Sequence, residues 1–243
     1  MTRKGYLILN GGEAFKPEMR AADRVWVDWL RTQHRPRAVV IPIAALEKHQ
    51  KIAYEVTRYF RGMDTNADYK LVTDKNAADA RDTYQTLDKV EIIVLPDGSP
   101  IRVVTELRGT HTEKVLRQAL LRKAAVYGTA ASAMALCERY WFAHKWPHGL
   151  NLLPGVALLP HYNVVAGRLP PAQLLAKLPE GVTLVGLDQH TNLIWRPDDV
   201  FEVRGQGAVT IYRSAVLQDR YEDGDTFTLE LPSSPQTEPG AES

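Results

Sequence analysis

The apolar run Ala124-Ala125-Val126-Tyr127 passes without a linker into Gly128-Thr129-Ala130-Ala131-Ser132-Ala133, and this junction constrains the chain more than any other stretch. Such a run reads as a buried strand. The small residues behind it allow a sharp turn into a helix lying close on the sheet, which is the setting of a nucleophile elbow. At the apex of that turn stands Ala130, whose methyl group cannot attack a carbonyl. The same small residues would also serve a tight helix–sheet contact with no chemistry.

Strand-like and helix-like segments alternate through the first half. Apolar runs predict strands at 6–9, 38–43, 69–72, 90–95 and 124–127, and helical spacing predicts helices at 18–31, 46–60 and 112–122. That alternation implies βαβ units and a mainly parallel sheet with helices on both faces. Sites in such sheets lie at the carboxyl ends of the strands. Asn10-Gly11-Gly12, Pro96-Asp97-Gly98-Ser99 and Gly128-Thr129-Ala130 should converge there. After Gly149 the segments become short strands, at 182–187, 193–195, 200–203 and 208–212, with Gly205-Gln206-Gly207 expected as a hairpin turn. These read as antiparallel strands added at the C-terminal edge. One α/β domain is expected over 1–231. The Pro-, Ser-, Glu- and Gly-rich tail at 232–243 is expected to be disordered.

A formal net charge of +1 leaves no field of one sign to recruit nucleic acid or a membrane. The single cysteine, Cys137, excludes an internal disulfide and a four-cysteine zinc site. The short apolar run near the start reads as a first strand rather than a signal peptide, and no run approaches bilayer length, so the cytoplasm is the default location. No phosphate-binding loop and no dinucleotide fingerprint is present, and no cofactor is expected.

Four motifs, in consistent order and spacing, resemble the family of serine peptidases that contains dipeptidase E and cyanophycinase. They are the strand ending in Gly11-Gly12; Leu95-Pro96-Asp97-Gly98-Ser99-Pro100; Gly128-Thr129-Ala130-Ala131-Ser132-Ala133; and Gly149-Leu150-Asn151-Leu152-Leu153 followed by Leu159-Pro160-His161-Tyr162. Gly186-Leu187-Asp188-Gln189-His190-Thr191 is a weaker echo. The resemblance implies a three-layer α/β sandwich of the class I glutamine amidotransferase type. It also implies a serine nucleophile in the third motif, a turn supplying an oxyanion hole in the second, and a catalytic histidine at His161. Members of this fold often associate, which makes a homodimer an open expectation.

The departures are as specific as the matches. The family's serine falls on Ala130, and Ser132 falls where the family has glycine. Asp97 replaces the first glycine of the oxyanion turn, where a carboxylate would repel developing negative charge. Lys145 falls near the position of the family's acidic partner. These departures favour a pseudoenzyme that binds a small peptide or carboxylate ligand. The alternative is an active amide hydrolase that uses a displaced Ser132 with His161. The converging loops nominate Gly12, Asp97, Gly98, Ser99, Thr129 and Ala131 as ligand-binding residues. Pro147 between His144 and His148 argues against a helical metal pair, and no metal is expected. Cys137 and the aromatic group Trp141, Phe142 and Trp146 read as packing residues, and His190 beside Asp188 as a surface turn.

Overall fold

The computed structural model describes residues 3–232. Of the tail expected to be disordered, all but Pro232 lies outside the described residues. The first half is built from β1 (Tyr6–Asn10), α1 (Arg20–Leu30), β2 (Arg37–Val40), α2 (His49–Arg61), β3 (Asn66–Tyr69), α3 (Lys75–Asp79), α4 (Arg81–Leu87), β4 (Ile92–Leu95), α5 (Pro100–Leu107), α6 (His111–Leu121), β5 (Ala125–Thr129) and α7 (Ala131–Leu136). The second half follows as β6 (Cys137–Tyr140), β7 (Leu153–Leu159), α8 (Tyr162–Val165), α9 (Pro171–Leu175), β8 (Thr183–Leu187), β9 (Thr191–Trp195), β10 (Val200–Gly205), β11 (Val209–Tyr212), β12 (Gln218–Tyr221) and β13 (Thr226–Thr228).

Eight strands form the main sheet in the order β13-β10-β9-β1-β5-β4-β2-β3. From β1 to β3 the pairing is parallel, and β9, β10 and β13 add an antiparallel edge. Strand alternation sorts the core into two. Ile8, Val40, Val94 and Tyr127 face α1 and α2, where Trp26 and Phe60 are fully buried. Leu7, Val39, Ile93 and Val126 face the opposite way, against side chains of α5, α6, α7 and the second half of the chain. Both faces are therefore covered, as a parallel sheet requires. This is the mixed α/β architecture of the class I glutamine amidotransferase type.

The second half differs from expectation in one respect. It does not only extend the main sheet. Five strands form a second sheet, β12-β11-β8-β7-β6. Gly205-Gln206-Gly207 is consequently not a hairpin turn. Gly205 pairs with Thr191 in the first sheet, and Val209 pairs with Leu187 in the second, so this loop is a crossing between sheets. The Gln206 N–H donates to His190 O at 2.9 Å, which pins the crossing to the β8–β9 turn. Period-2 patterning identifies a strand but not the sheet it joins, because both sheets bury alternate residues.

Smaller shifts have local causes. The helix expected from 46 begins at His49, because Lys48 is left-handed. The third strand is Asn66–Tyr69, upstream of its apolar run at 69–72, because its pairing with β2 starts at Arg37–Asn66. α5 carries a legible start signal, Ser99-Pro100, with Ser99 at the N-cap and proline at N1. Trp26, Phe60 and Tyr127 interlock through tilted and edge-on rings with centroids 5.3–6.1 Å apart. Phe60→Ala is expected to lower unfolding stability by about 3–5 kcal/mol, the usual range for emptying a buried aromatic site, measured by urea denaturation.

Candidate functional site

The turn between β5 and α7 keeps the backbone of an elbow. Ala130 sits at φ 42° and ψ −105°, a conformation side-chain-bearing residues rarely adopt. Holding a non-glycine residue there costs on the order of 1–3 kcal/mol. The restraint comes from β1. The Ala130 N–H donates to Asn10 O at 2.8 Å. The Asn10 side chain accepts from the Gly12 N–H at 2.8 Å and donates to Asn192 Oδ1 at 2.9 Å. Asn192 in turn donates to Asp23 Oδ1 at 2.7 Å, where Trp26 Nε1 also donates at 3.1 Å. Tyr59 OH donates to Asp23 Oδ2 at 2.7 Å. Burial raises the Asp23 carboxyl above its ordinary value, and the hydrogen bonds from Tyr59, Asn192 and Trp26 oppose that shift without cancelling it.

Asp97 occupies the elbow's donors. Its Oδ1 accepts from the Gly98 N–H at 2.7 Å and from the Ala131 N–H at 3.0 Å. The N–H that follows the apex residue is one that elbow enzymes use to stabilise an oxyanion. Here a side-chain carboxylate takes it. Gly98 is required by the turn, since a Cβ there would meet Ala44 O at 2.2 Å.

The structure does not join Ser132 to His161. Ser132 is fully buried in α7, and its hydroxyl donates to Pro96 O at 2.6 Å. His161 stands on the other side of the Gly11-Gly12 turn. Its backbone N–H donates to Gly11 O at 2.7 Å, and its ring lies so close to Gly12 that a Cβ there would come within 2.1 Å of it. Among the described residues its one side-chain partner is the neutral amide of Gln189, 3.0 Å from Nδ1. An amide cannot stabilise an imidazolium as a carboxylate does.

The other nominated residues are placed as follows. Ser99 caps α5, accepting from the Arg102 N–H at 3.5 Å. Lys145 lies at a tight reversal with Phe142, in which Ala143 and His144 are both left-handed, so His144 and His148 are not on a helix. No cluster of metal-ligating side chains is found among the described residues. Cys137 ends α7 rather than lying within it, and burial pushes its thiol pKa up, which leaves it unreactive. Trp146 is buried against Leu159, Tyr162 and Leu174. Asp188 is buried and accepts from the Ala208 N–H at 3.0 Å, while the His190 N–H donates to Gly12 O at 3.0 Å. The 188–190 turn is therefore packed on the site rather than free at the surface.

Beside the elbow lies a cavity of about 580 Å³. Gly12, Asp97 and Thr129 line it, together with residues the sequence reading did not nominate: Phe15, Lys16, Arg20, Arg58 and Tyr59. Nothing local marks these five. Arg20, Arg58 and Tyr59 reach the site because α1 and α2 pack on the sheet face nearest the elbow, whereas Phe15 and Lys16 lie on the loop between β1 and α1.

Two outcomes follow from this geometry. Ala130→Gly relieves the strained dihedrals, and a gain of about 1 kcal/mol in unfolding stability is expected in urea denaturation, after allowing for glycine's looser unfolded chain. The raised Asp23 carboxyl means that the folded chain holds its proton more tightly than the unfolded one. The stability this gives is full at low pH and is lost as pH rises from about 4 through the folded-state value. Unfolding midpoints of Asp23→Asn relative to wild type should therefore shift in the variant's favour as pH rises above about 4.

The chain's fold has known counterparts. The structure of a peptidase from an acI-B1 Actinobacterium superposes with a TM-score of 0.82 at 20% identity, over 94% of this chain and 98% of that one. A candidate peptidase E protein from Listeria monocytogenes EGD-e superposes at 0.55 with 15% identity, over 87% of this chain and 99% of that one. No curated protein sequence matches this chain. No helix among the described residues is long and apolar enough to cross a membrane. Residues 6–203 match the model of Peptidase family S51, and with the elbow, the oxyanion turn and the histidine loop found in one place, the chain belongs to that family.

Proposed function

We propose that this chain is a non-hydrolytic member of the S51 family, a pseudoenzyme that binds a small peptide or another carboxylate-bearing ligand beside the elbow. The observation that carries the reading is the Asp97 carboxylate on the Ala131 and Gly98 N–H groups, next to an apex residue with no reactive atom. A substrate carbonyl would have to displace a bound anion and then develop negative charge next to it. Removing a single oxyanion donor in a working enzyme costs roughly 10²–10³ in rate. Losing the nucleophile removes nearly all covalent chemistry. Displaced catalysis by Ser132 gains no support, since its hydroxyl is buried and committed to Pro96 O. Carboxylate recognition is supported by Arg20 and Arg58, which line the cavity without a carboxylate partner among the described residues.

A fluorophosphonate probe should leave the wild-type chain unlabelled, and a panel of dipeptides and β-aspartyl peptides should bind, by calorimetry, without turnover. Turnover that Ser132→Ala removes would overturn the reading. Ala130→Ser alone should gain little labelling. Ala130→Ser with Asp97→Gly should label faster than the single variant by about a hundredfold, the weight of freeing an oxyanion donor.

A further inference from the structure

The cavity beside the elbow has two chemically opposite sides. On the elbow side, Thr129 lines the cavity but is 1% exposed, and its hydroxyl is shut off from solvent. Asp97 lines the same side. Both backbone donors converge on its Oδ1, and Oδ2 makes no hydrogen bond among the described residues. On the helix side, Arg20 and Arg58 are exposed guanidinium groups. The two other acidic residues of the lining are already engaged, Glu13 with Lys16 at 3.8 Å and Glu55 with Lys51 at 3.9 Å. Tyr59 also lines the cavity, its hydroxyl tied to Asp23 and its ring 5.8 Å below the Arg20 guanidinium. The cavity therefore presents a carboxylate with a free oxygen, two guanidinium groups without a carboxylate partner among the described residues, and a fixed aromatic surface.

We propose that the occupant is an amino acid or short peptide with a free ammonium group, seated with that ammonium on Asp97 Oδ2 and with its carboxylate on Arg20 and Arg58. This rests on the reading that the cavity binds without cleaving. It adds a polarity and an orientation. An elbow with free N–H groups attracts the oxygen of a substrate carbonyl. Here Asp97 neutralises those N–H groups and keeps its second oxygen unbonded, so the same place attracts a cation. A carboxylate ligand without an amine would satisfy only the arginine side. The volume of about 580 Å³ lies within the range of small-molecule sites and accommodates a dipeptide.

The test is calorimetric titration of the full chain with one dipeptide panel in three forms: free, N-acetylated and C-terminally amidated. The free forms should bind, and either modification should weaken binding by about tenfold or more, the scale of one lost charge-assisted hydrogen bond. Asp97→Asn keeps an oxygen for the Gly98 and Ala131 N–H groups and removes the charge. It should erase the distinction between free and N-acetylated forms while leaving the penalty for amidation intact. Arg58→Gln should do the converse. Circular dichroism of both variants separates a lost contact from a lost fold. Equal binding of free and N-acetylated peptides, or a distinction that survives Asp97→Asn, would sink this orientation and leave the non-hydrolytic reading standing. Release of free amino acids in the same samples would sink the non-hydrolytic reading instead. No binding of any form would overturn both.

Discussion

One buried asparagine holds the site together. Asn10 ends β1, and its backbone carbonyl receives the Ala130 N–H. Its side chain receives the Gly12 N–H and passes a hydrogen bond to Asn192 on the neighbouring antiparallel strand. Two turns from different parts of the chain are thus fixed to one residue, and the bonds reach on to the fully buried Asp23. Such a network is costly unless every member is satisfied, and here each polar group of Asn10 has a partner. The strained dihedrals at Ala130 persist because the parallel pairing of β1 with β5 leaves that residue no other path.

This rigidity explains how the backbone of an elbow can form whatever side chain stands at its apex. The turn is determined by strand pairing, by glycines whose missing Cβ atoms make room for neighbours, and by the buried polar network. None of these depends on what side chain stands at position 130. The backbone can therefore keep its form while the surroundings change sign. Asp97 is the clearest case. In an elbow enzyme the N–H groups of this turn would wait for a developing oxyanion; here they are already neutralised by a carboxylate. His161 keeps its place against Gly12 but has only the Gln189 amide beside it. The turn combines the backbone of an elbow with a carboxylate on its donors, and electrostatics of this kind decides between stabilising a transition state and holding a ligand.

Much of the architecture was legible because it follows from short-range rules. The strands at 6–9, 90–95 and 124–127 are continuous apolar runs, and they became β1, β4 and β5 with changes of one or two residues at their ends. The glycine turns that follow such strands gather at one sheet edge in any parallel α/β fold, so the convergence of Gly12, Asp97 and Thr129 could be foreseen. The second sheet could not. The strands after 182 alternate as any half-buried strand does, and whether β11 pairs with β10 or with β8 depends on which surfaces remain open once the first sheet is covered.

The sequence alone determined the identity of the apex residue, the carboxylate in the turn after β4 and the alternation of strands and helices in the first half, since these are facts of composition and local pattern. Only the tertiary structure decided where those groups point. Ser132 lies two residues from the apex, yet one step into a helix turns its hydroxyl to Pro96 and away from His161. Asp97 was readable as a source of repulsion, but its two hydrogen bonds to the elbow depend on the meeting of loops 34 residues apart. Arg20, Arg58 and Tyr59 carried no local signal because their role comes from helix packing on a shared face, and a contact made across the fold leaves no periodicity in the chain.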